Sequence, residues 1–214
     1  MMPISHAADP PVRRRRKTAR PTEIVVAAFA SFVEHGYAGT KLDEVAKRAG
    51  IAKGTVYLYF DTKQDLFEAV IRKEVSSVIG DIEAMVEAYE GPSEELLRQI
   101  ITHAYSNIVL SDTRYLLRII IGEGQKFPEL CKLYYESSIK QAMALIRKVM
   151  QRGLDQGEFR QGPMTMNPQL LMSPCIMAAI WSMTFDASEP LDIDTYMAGH
   201  IDLILNGVLA DKGS

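Results

Sequence analysis

The 214-residue chain contains few cysteines and few aromatic residues. Its two cysteines, Cys131 and Cys175, form no C-x-x-C pair, so neither a disulfide framework nor a structural zinc site is expected. No run of 18 apolar residues is present, which leaves no candidate for a membrane-spanning helix. Glycine-rich phosphate loops and the G-x-S-x-G and H-E-x-x-H motifs are also missing. We therefore expect no enzyme, no cofactor, no bound metal and no membrane partner, and the cysteine usage indicates a cytoplasmic location.

Charge is unevenly distributed along the chain, although the formal net charge is only −3. Residues 1–65 contain 11 Lys and Arg against 7 Asp and Glu, whereas residues 66–214 contain 13 against 20. Much of the positive excess comes from a basic run before Pro21 that includes Arg15 and Arg16. A basic segment beside an acidic body is typical of proteins that bind a polyanion at one end. A solvated basic tail is the alternative interpretation of the same charges.

Apolar periodicity predicts an all-α fold with about nine helices. In the longest predicted helix, apolar residues recur at every third or fourth position from Phe67 to Tyr89, which is the spacing of one helix face. No window alternates apolar and polar residues as a half-buried strand would. The predicted helices are Pro21 to about His35, Leu42–Ala49, a short helix ending at Phe60, the long helix ending near Gly91, and 94–109, 112–122, 128–156, 168–185 and 192–210.

Residues 42–60 carry the pattern that points to a function. Two short predicted helices meet at Gly50, which can adopt the positive φ that a tight corner needs. Ala46 is small where a second helix must cross the first, and Ile51 and Val56 supply apolar side chains that would hold the pair together. The pattern predicts a helix-turn-helix, with an αα-corner used only for packing as the alternative.

The side chains left on the outer face of the second helix are Lys53, Thr55 and Tyr57, with Tyr59 as a further candidate. Hydrogen-bond donors and flat amphipathic rings of this kind are used on phosphates, base edges and thymine methyl groups. The segment 53–60 is therefore predicted to be a recognition helix that enters the major groove of DNA.

The stretch TKLDEVAKRAGIAKGTVYLYF from Thr40 to Phe60, followed by DTKxxL to Leu66, resembles the DNA-binding domain of the TetR family of transcriptional regulators. The resemblance covers about residues 20–70, and the rest of the chain is similar to the family only in being helical. It implies a helix-turn-helix domain at 20–79, joined by the long fourth helix to the body, and a helical effector-binding and dimerisation domain at 80–214. The composition and charge of residues 1–19 predict a flexible basic arm before them.

The resemblance also implies a function and a set of DNA contacts. The chain would be a repressor that binds a palindromic operator in double-stranded DNA as a homodimer and is released by a small, mainly apolar effector. The residues implied to contact DNA are Thr40, Lys53, Gly54, Thr55, Tyr57, Tyr59 and Lys63, and charge adds Arg15 and Arg16. The family often has Ser or Thr as the cap of the recognition helix where this chain has Ala52, so no side-chain cap or phosphate contact is expected there.

The body is interpreted as an effector pocket and a dimer interface. Polar-tipped or adaptable side chains on otherwise apolar helices are the pocket candidates: Tyr89, His103, Tyr105, Tyr134, Met143, Met177 and Trp181. By resemblance the last two helices form the dimer interface, with Phe185, Met197, Ile201, Ile204 and Val208 as candidates, and burial within one chain as the alternative. A small-molecule carrier with a vestigial helix-turn-helix and a regulator that senses thiol oxidation remain as further alternatives.

Overall fold

The computed structural model describes the backbone of residues 16–210 and the side chains from Pro21 onward. This part of the chain is helical and has no β-strand, apart from an isolated bridge between Phe159 and Leu209. The helices are α1 (Arg16–Gly39), α2 (Leu42–Arg48), α3 (Lys53–Tyr57), α4 (Lys63–Ala88), α5 (Ser93–Ala104), α6 (Arg114–Glu123), α7 (Pro128–Tyr134), α8 (Lys140–Asp155), α9 (Pro163–Met166), α10 (Pro168–Thr184) and α11 (Ile193–Val208).

Two π-helical turns extend these elements. The turn Tyr105–Val109 prolongs α5, and the turn Tyr135–Ile139 joins α7 to α8 in one continuous rod. When each π-turn is counted with the helices that it prolongs or joins, all nine predicted helices are present in residues 16–210, so the all-α prediction is confirmed. The one additional helix in these residues is α9, which was missed because a helix of four residues is too short to show an apolar period.

The ends of the first helices follow from local chemistry. α1 begins at Arg16, five residues before the predicted start, and its helical geometry breaks at Gly36, where φ is 72°. Arg15 and the rest of the predicted arm before it lie outside the described residues, and so does the side chain of Arg16. α4 begins with a capping box: the Thr62 hydroxyl accepts from the Asp65 amide at 3.1 Å, and the Thr62 amide donates to the Asp65 carboxylate at 2.9 Å.

We call α1–α3 with the first half of α4 the head, and α5–α11 the body. The buried core of the helix-turn-helix head also contains residues of the body. Phe32 of α1 and Phe67 of α4 pack edge to face, with ring centroids 5.0 Å apart. Leu116 and Ile119 of α6 and Leu130 of α7 belong to the same buried cluster. A displacement of α6 or α7 therefore acts directly on the head, in addition to any effect carried by α4.

The core of the body encloses a buried polar pair. The Tyr105 hydroxyl lies 3.0 Å from His200 Nδ1, and His200 Nε2 lies 2.9 Å from the Leu171 carbonyl oxygen. Because a carbonyl can only accept, Nε2 carries the proton and Nδ1 accepts from Tyr105. Neutral His200 thus satisfies both ring nitrogens, and burial lowers its pKa below the ordinary value near 6.5.

We expect the protein to lose stability as the pH falls below about 6.5, because the unfolded chain binds a proton at His200 more readily than the folded chain does. The free energy of unfolding should rise with pH between the lowered folded pKa and 6.5, and this contribution should be constant at higher pH. His200→Gln, which keeps a neutral polar side chain, should remove this part of the pH dependence. Urea denaturation between about pH 5 and pH 8 measures it. An unchanged pH slope in the variant would contradict the assignment.

Candidate DNA-binding face and effector cavity

The corner between α2 and α3 has the geometry that the sequence predicted. Gly50 adopts φ 66°, and the next amide, of Ile51, donates to the Ala46 carbonyl at 3.0 Å. A Cβ on Gly50 would meet no atom within 4 Å, so glycine is required there for its backbone conformation and not for space. Val56 is fully buried and Ile51 packs against the same core. The two helices are therefore held as a rigid helix-turn-helix.

The outer face of α3 is open to solvent. Lys53, Gly54 and Tyr57 are exposed, and Thr55 is half-buried. Tyr59 is also half-buried and packs against the core of the head. Leu58, which the sequence did not single out, is 80% exposed beside Tyr57, where a branched apolar side chain can meet a thymine methyl group. The sequence signal that could have identified Leu58 is its position directly after Tyr57.

Lys53 is held by a carboxylate of the preceding helix. Its Nζ lies 2.8 Å from Asp43 of α2, and this hydrogen bond and charge raise the pKa of Lys53 above its usual value. The same ammonium lies 6.0 Å from the centre of the Tyr57 ring. Because both partners are more than half exposed, the ion pair contributes little to stability. A DNA phosphate or base edge can replace Asp43 at small cost.

The recognition helix lacks a side-chain cap, as expected from Ala52. This residue is the N-cap of α3 in an extended conformation, and no side chain accepts a hydrogen bond from the first turn. The Thr55 amide donates to the Ala52 carbonyl at 2.8 Å. The other amide groups at the start of this helix remain available to a phosphate.

The side chains of Thr40 and Lys63 form hydrogen bonds with backbone carbonyls at the end of α1. The Thr40 hydroxyl donates to the Gly36 carbonyl at 2.7 Å, and the residue is only 2% exposed. The Lys63 ammonium donates to the carbonyls of Tyr37, Ala38 and Thr40 at 2.7, 3.2 and 3.1 Å, and burial lowers its pKa. All three ammonium protons are thus occupied. A phosphate would reach these side chains only by replacing bonds that shape the head.

A carboxylate from the body also binds the end of α1. Glu123, the last residue of α6, accepts from the amides of Tyr37 and Ala38, both at 2.7 Å. A Cβ at Gly36 would displace the Glu123 carboxylate from these amides, and the positive φ of Gly36 also favours glycine. Sequence reasoning missed Glu123 because its partners are backbone amides more than 80 residues away. These two bonds link α6 of the body directly to the helix-turn-helix.

A largely apolar cavity of about 380 Å³ lies in the body. It is bordered by α4, α5 with its π-turn, α6, the α7–α8 rod with its π-turn, and α10. In the part of the chain that the structure describes, no Lys, Arg, Asp, Glu or His lines this cavity. Its uncharged polar lining residues are Thr113, Tyr134, Ser138, Gln169 and Ser173. A mainly apolar cavity of this size with a few polar groups is typical of a small-molecule site.

Three of the seven predicted pocket residues line this cavity, namely Tyr134, Met143 and Met177. The other four contact groups elsewhere: Tyr89 accepts from Arg152 through its carbonyl, His103 lies 3.9 Å from Asp81, Tyr105 is bonded to His200, and the Trp181 indole donates to the Glu189 carbonyl. Residue type identified polar-tipped side chains, but it could not show which of them line the cavity.

The residues predicted to form the dimer interface lie partly in the core and partly at the surface. Ile204 and Val208 are 0% and 1% exposed, so the alternative of burial within one chain holds for both. Met197 and Ile201 are half-buried, and Phe185 is exposed. α10 is apolar around its whole circumference and exposes Leu170 and Met177. Phe185, which directly follows α10, and Leu203 of α11 are also exposed. Large exposed apolar side chains that form a contiguous patch are typical of an interaction surface.

Other kinds of site find little support in residues 16–210. No group of three or more His, Cys, Asp or Glu side chains is placed to hold a metal ion. No helix there has both the length and the apolar character needed to cross a membrane. Burial raises the pKa of the Cys175 thiol to about 12, which leaves little reactive thiolate at neutral pH and argues against a thiol sensor at this position.

Comparison with known proteins identifies both halves of the chain. The family described as bacterial regulatory proteins of the tetR family matches residues 24–70. The C-terminal domain of AefR-like transcriptional repressors matches residues 95–206, more than half of the chain. The HTH-type transcriptional regulator AcrR of Shigella flexneri is 33% identical over 118 residues, which span 54% of either chain. The fatty acid metabolism regulator protein of Bacillus subtilis is 24% identical over 154 residues, 69% of this chain and 75% of that protein.

Solved structures share the fold. The fatty acid degradation regulator FadR from Bacillus halodurans superimposes with a TM-score of 0.76 at 22% identity, over 90% of this chain and 97% of that one. FadR from Bacillus subtilis, in complex with stearoyl-CoA, gives 0.75 at 21% identity, over 87% and 98%. The arrangement of a helix-turn-helix head and a helical body is therefore a fold already seen in these two proteins.

Proposed function

Because the chain belongs to the TetR family of bacterial regulatory proteins, we propose that it is a cytoplasmic repressor that holds a palindromic operator as a homodimer and is released by a small apolar effector. It acts by binding and not by catalysis. The observation that carries the proposal is that one chain combines the exposed face of α3 with an apolar cavity bordered by α4 and α6, and both of these helices also pack into the head.

The surface of the body supports a dimer. A single helix-turn-helix reads too few base pairs for useful discrimination, and two-fold dimers on inverted half-sites are the usual solution. The exposed apolar side chains of α10 and α11, with Leu170, Met177 and Leu203 among them, form a patch that a second copy would bury. Two α3 helices would then face the same side of the DNA.

Two helices connect the cavity to the DNA-binding head. α4 places Phe67 and Ile71 in the core of the head and Val78 and Ile82 in the cavity wall. α6 places Leu117 in the cavity wall and Glu123 on the amides at the end of α1. A ligand that favours a different arrangement of these helices changes the separation of the two α3 helices. Allosteric coupling is typically about 1–3 kcal/mol, or roughly 5–150-fold in affinity, which is enough to release an operator.

Selection of genomic DNA fragments on the purified protein tests this function. The retained fragments should share an inverted repeat whose half-sites are centred about one helical turn or a multiple of it apart, and two chains should bind per site. Their affinity should fall steeply with salt concentration, because Lys and Arg contacts displace counterions. A small-molecule carrier with a vestigial helix-turn-helix would retain no common sequence. That result would reject the proposed function.

A further inference from the structure

One hydroxyl in the cavity wall lacks a partner. Ser138 is 1% exposed and is one of the residues that line the cavity, and its Oγ forms no hydrogen bond in the described part of the chain. Other hydroxyls of the described chain donate instead to the carbonyl four residues earlier, namely those of Ser77, Thr102, Ser106, Ser111 and Ser173. A buried hydroxyl that forms no bond costs free energy, which a hydrogen-bonding ligand would recover.

The position of Ser138 also points to a ligand. It lies in the π-turn between α7 and α8, and the π-turn after α5 contributes Ile108 to the same cavity wall. Single π-turns inside helices occur frequently at functional sites, because they redirect side chains at a cost to the regular helix. Two such turns at one cavity indicate a wall shaped for an occupant.

A second hydroxyl is available one turn earlier. Tyr134 lines the cavity four residues before Ser138, and no hydrogen bond is formed by its hydroxyl in the part of the chain that is described. Burial raises the pKa of Tyr134 to about 12, so the phenol keeps its proton at neutral pH and can donate. Tyr134 and Ser138 together offer a donor and a group that can donate or accept.

The other lining residues restrict the charge and the shape of the rest of the ligand. The wall consists mainly of Val, Ile, Leu, Met and Ala side chains, and Tyr134 is the one aromatic ring among the described lining residues. A carboxylate, phosphate or ammonium group would be buried there without a charged partner, which is strongly unfavourable. The wall therefore suits an uncharged aliphatic body and offers no stacking surface for a flat aromatic one.

We infer that the effector is an uncharged, mainly aliphatic molecule with one hydrogen-bonding head, a hydroxyl or carbonyl group, that bonds to Ser138 and Tyr134. This inference rests on the proposed function only in taking the cavity as the effector site. The hydroxyl of Ser138 and the phenol of Tyr134 recognise the head, and the aliphatic wall accommodates the chain.

Four ten-carbon probes that differ only in their head group test the inference on the full chain without DNA: 1-decanol, 2-decanone, decanoate and decylammonium. Their binding can be followed by thermal shift and by the fluorescence of the single tryptophan, Trp181, which adjoins the lining residue Ile180. At pH 7.5 the alcohol and the ketone should bind at least about tenfold more tightly than the two ions. Tighter binding of either ion, or no binding by any probe, would overturn the inference.

Ser138→Ala and Ser173→Ala form a matched pair of variants. Ser138→Ala should weaken 1-decanol binding about 2- to 10-fold, the usual range for a net hydrogen bond. Ser173 also lines the cavity, but its hydroxyl already donates to the Gln169 carbonyl at 2.8 Å, so Ser173→Ala should leave 1-decanol binding unchanged. Equal effects of the two substitutions would refute the role of Ser138. Since no DNA is present, these results stand or fall independently of the fragment selection that tests the proposed function.

Discussion

Replacing Lys53 and Tyr57 together by alanine is expected to weaken operator binding by at least about a hundredfold, because each contact of this kind contributes about 1–3 kcal/mol and each occurs twice in a dimer. Both side chains are exposed and outside the buried core of the head, so the fold should be retained. Fluorescence anisotropy with a duplex recovered from the genomic selection measures the loss, and circular dichroism controls for folding. An unchanged affinity in a folded variant would contradict the assignment of α3.

Asp43→Asn is the matched control for this prediction. It removes the carboxylate that holds Lys53 at 2.8 Å and one negative charge close to the proposed DNA surface. Operator affinity should therefore rise by several fold, in the direction opposite to the loss from Lys53→Ala. The gain should shrink at high salt because it is electrostatic. Weaker binding by Asp43→Asn would argue that the ion pair positions Lys53 for DNA and does not compete with it.

Glu123→Gln is expected to loosen the connection between the body and the head. The native carboxylate accepts from two amides, whereas the substituted amide group offers one acceptor and turns a donor toward the other amide. Loss of a charge-assisted hydrogen bond should lower the free energy of unfolding by about 1–3 kcal/mol. The amide protons of Tyr37 and Ala38 should also exchange with solvent faster, which hydrogen exchange measures at each residue.

The same variant should respond less to an occupied cavity. Any decrease in operator affinity that 1-decanol causes in the native protein should be smaller in Glu123→Gln, because the substitution weakens a polar link from α6 to α1. The decrease should not vanish, because Arg118, which donates to the Val33 carbonyl, remains as a second polar link. Glu129→Gln removes a nearby exposed carboxylate of α7 and should change neither exchange nor coupling. If the Tyr37 and Ala38 amides of Glu123→Gln stay protected from hydrogen exchange, the carboxylate does not hold the end of α1.

Local patterns predicted most of this fold. The helices follow from apolar spacing, and the corner at Gly50 follows from one glycine between two short amphipathic segments. The structure also bears out the absence of a side-chain cap at Ala52. These features depend on residues close together in the chain, where period and turn chemistry act directly.

Features that depend on distant contacts could not be predicted. Lys63 was interpreted as a phosphate ligand by resemblance, but its ammonium bonds three carbonyls that lie more than 20 residues away. Carbonyl and amide partners leave no signal in residue type, and Glu123 was missed for the same reason. On α11 the apolar period found a stripe, but it could not show that Ile204 packs inside the chain while Leu203 is exposed.

The placement of α3 in the major groove is tested most directly by methylation interference on a selected operator duplex. Methylation of guanine N7, a group of the major-groove edge, should block binding at matching positions in both half-sites. With the Lys53→Ala protein, at least one symmetric pair of these interference positions should disappear. Binding that tolerates N7 methylation throughout the site, or an interference pattern unchanged by substitutions at Lys53 and Tyr57, would contradict the account.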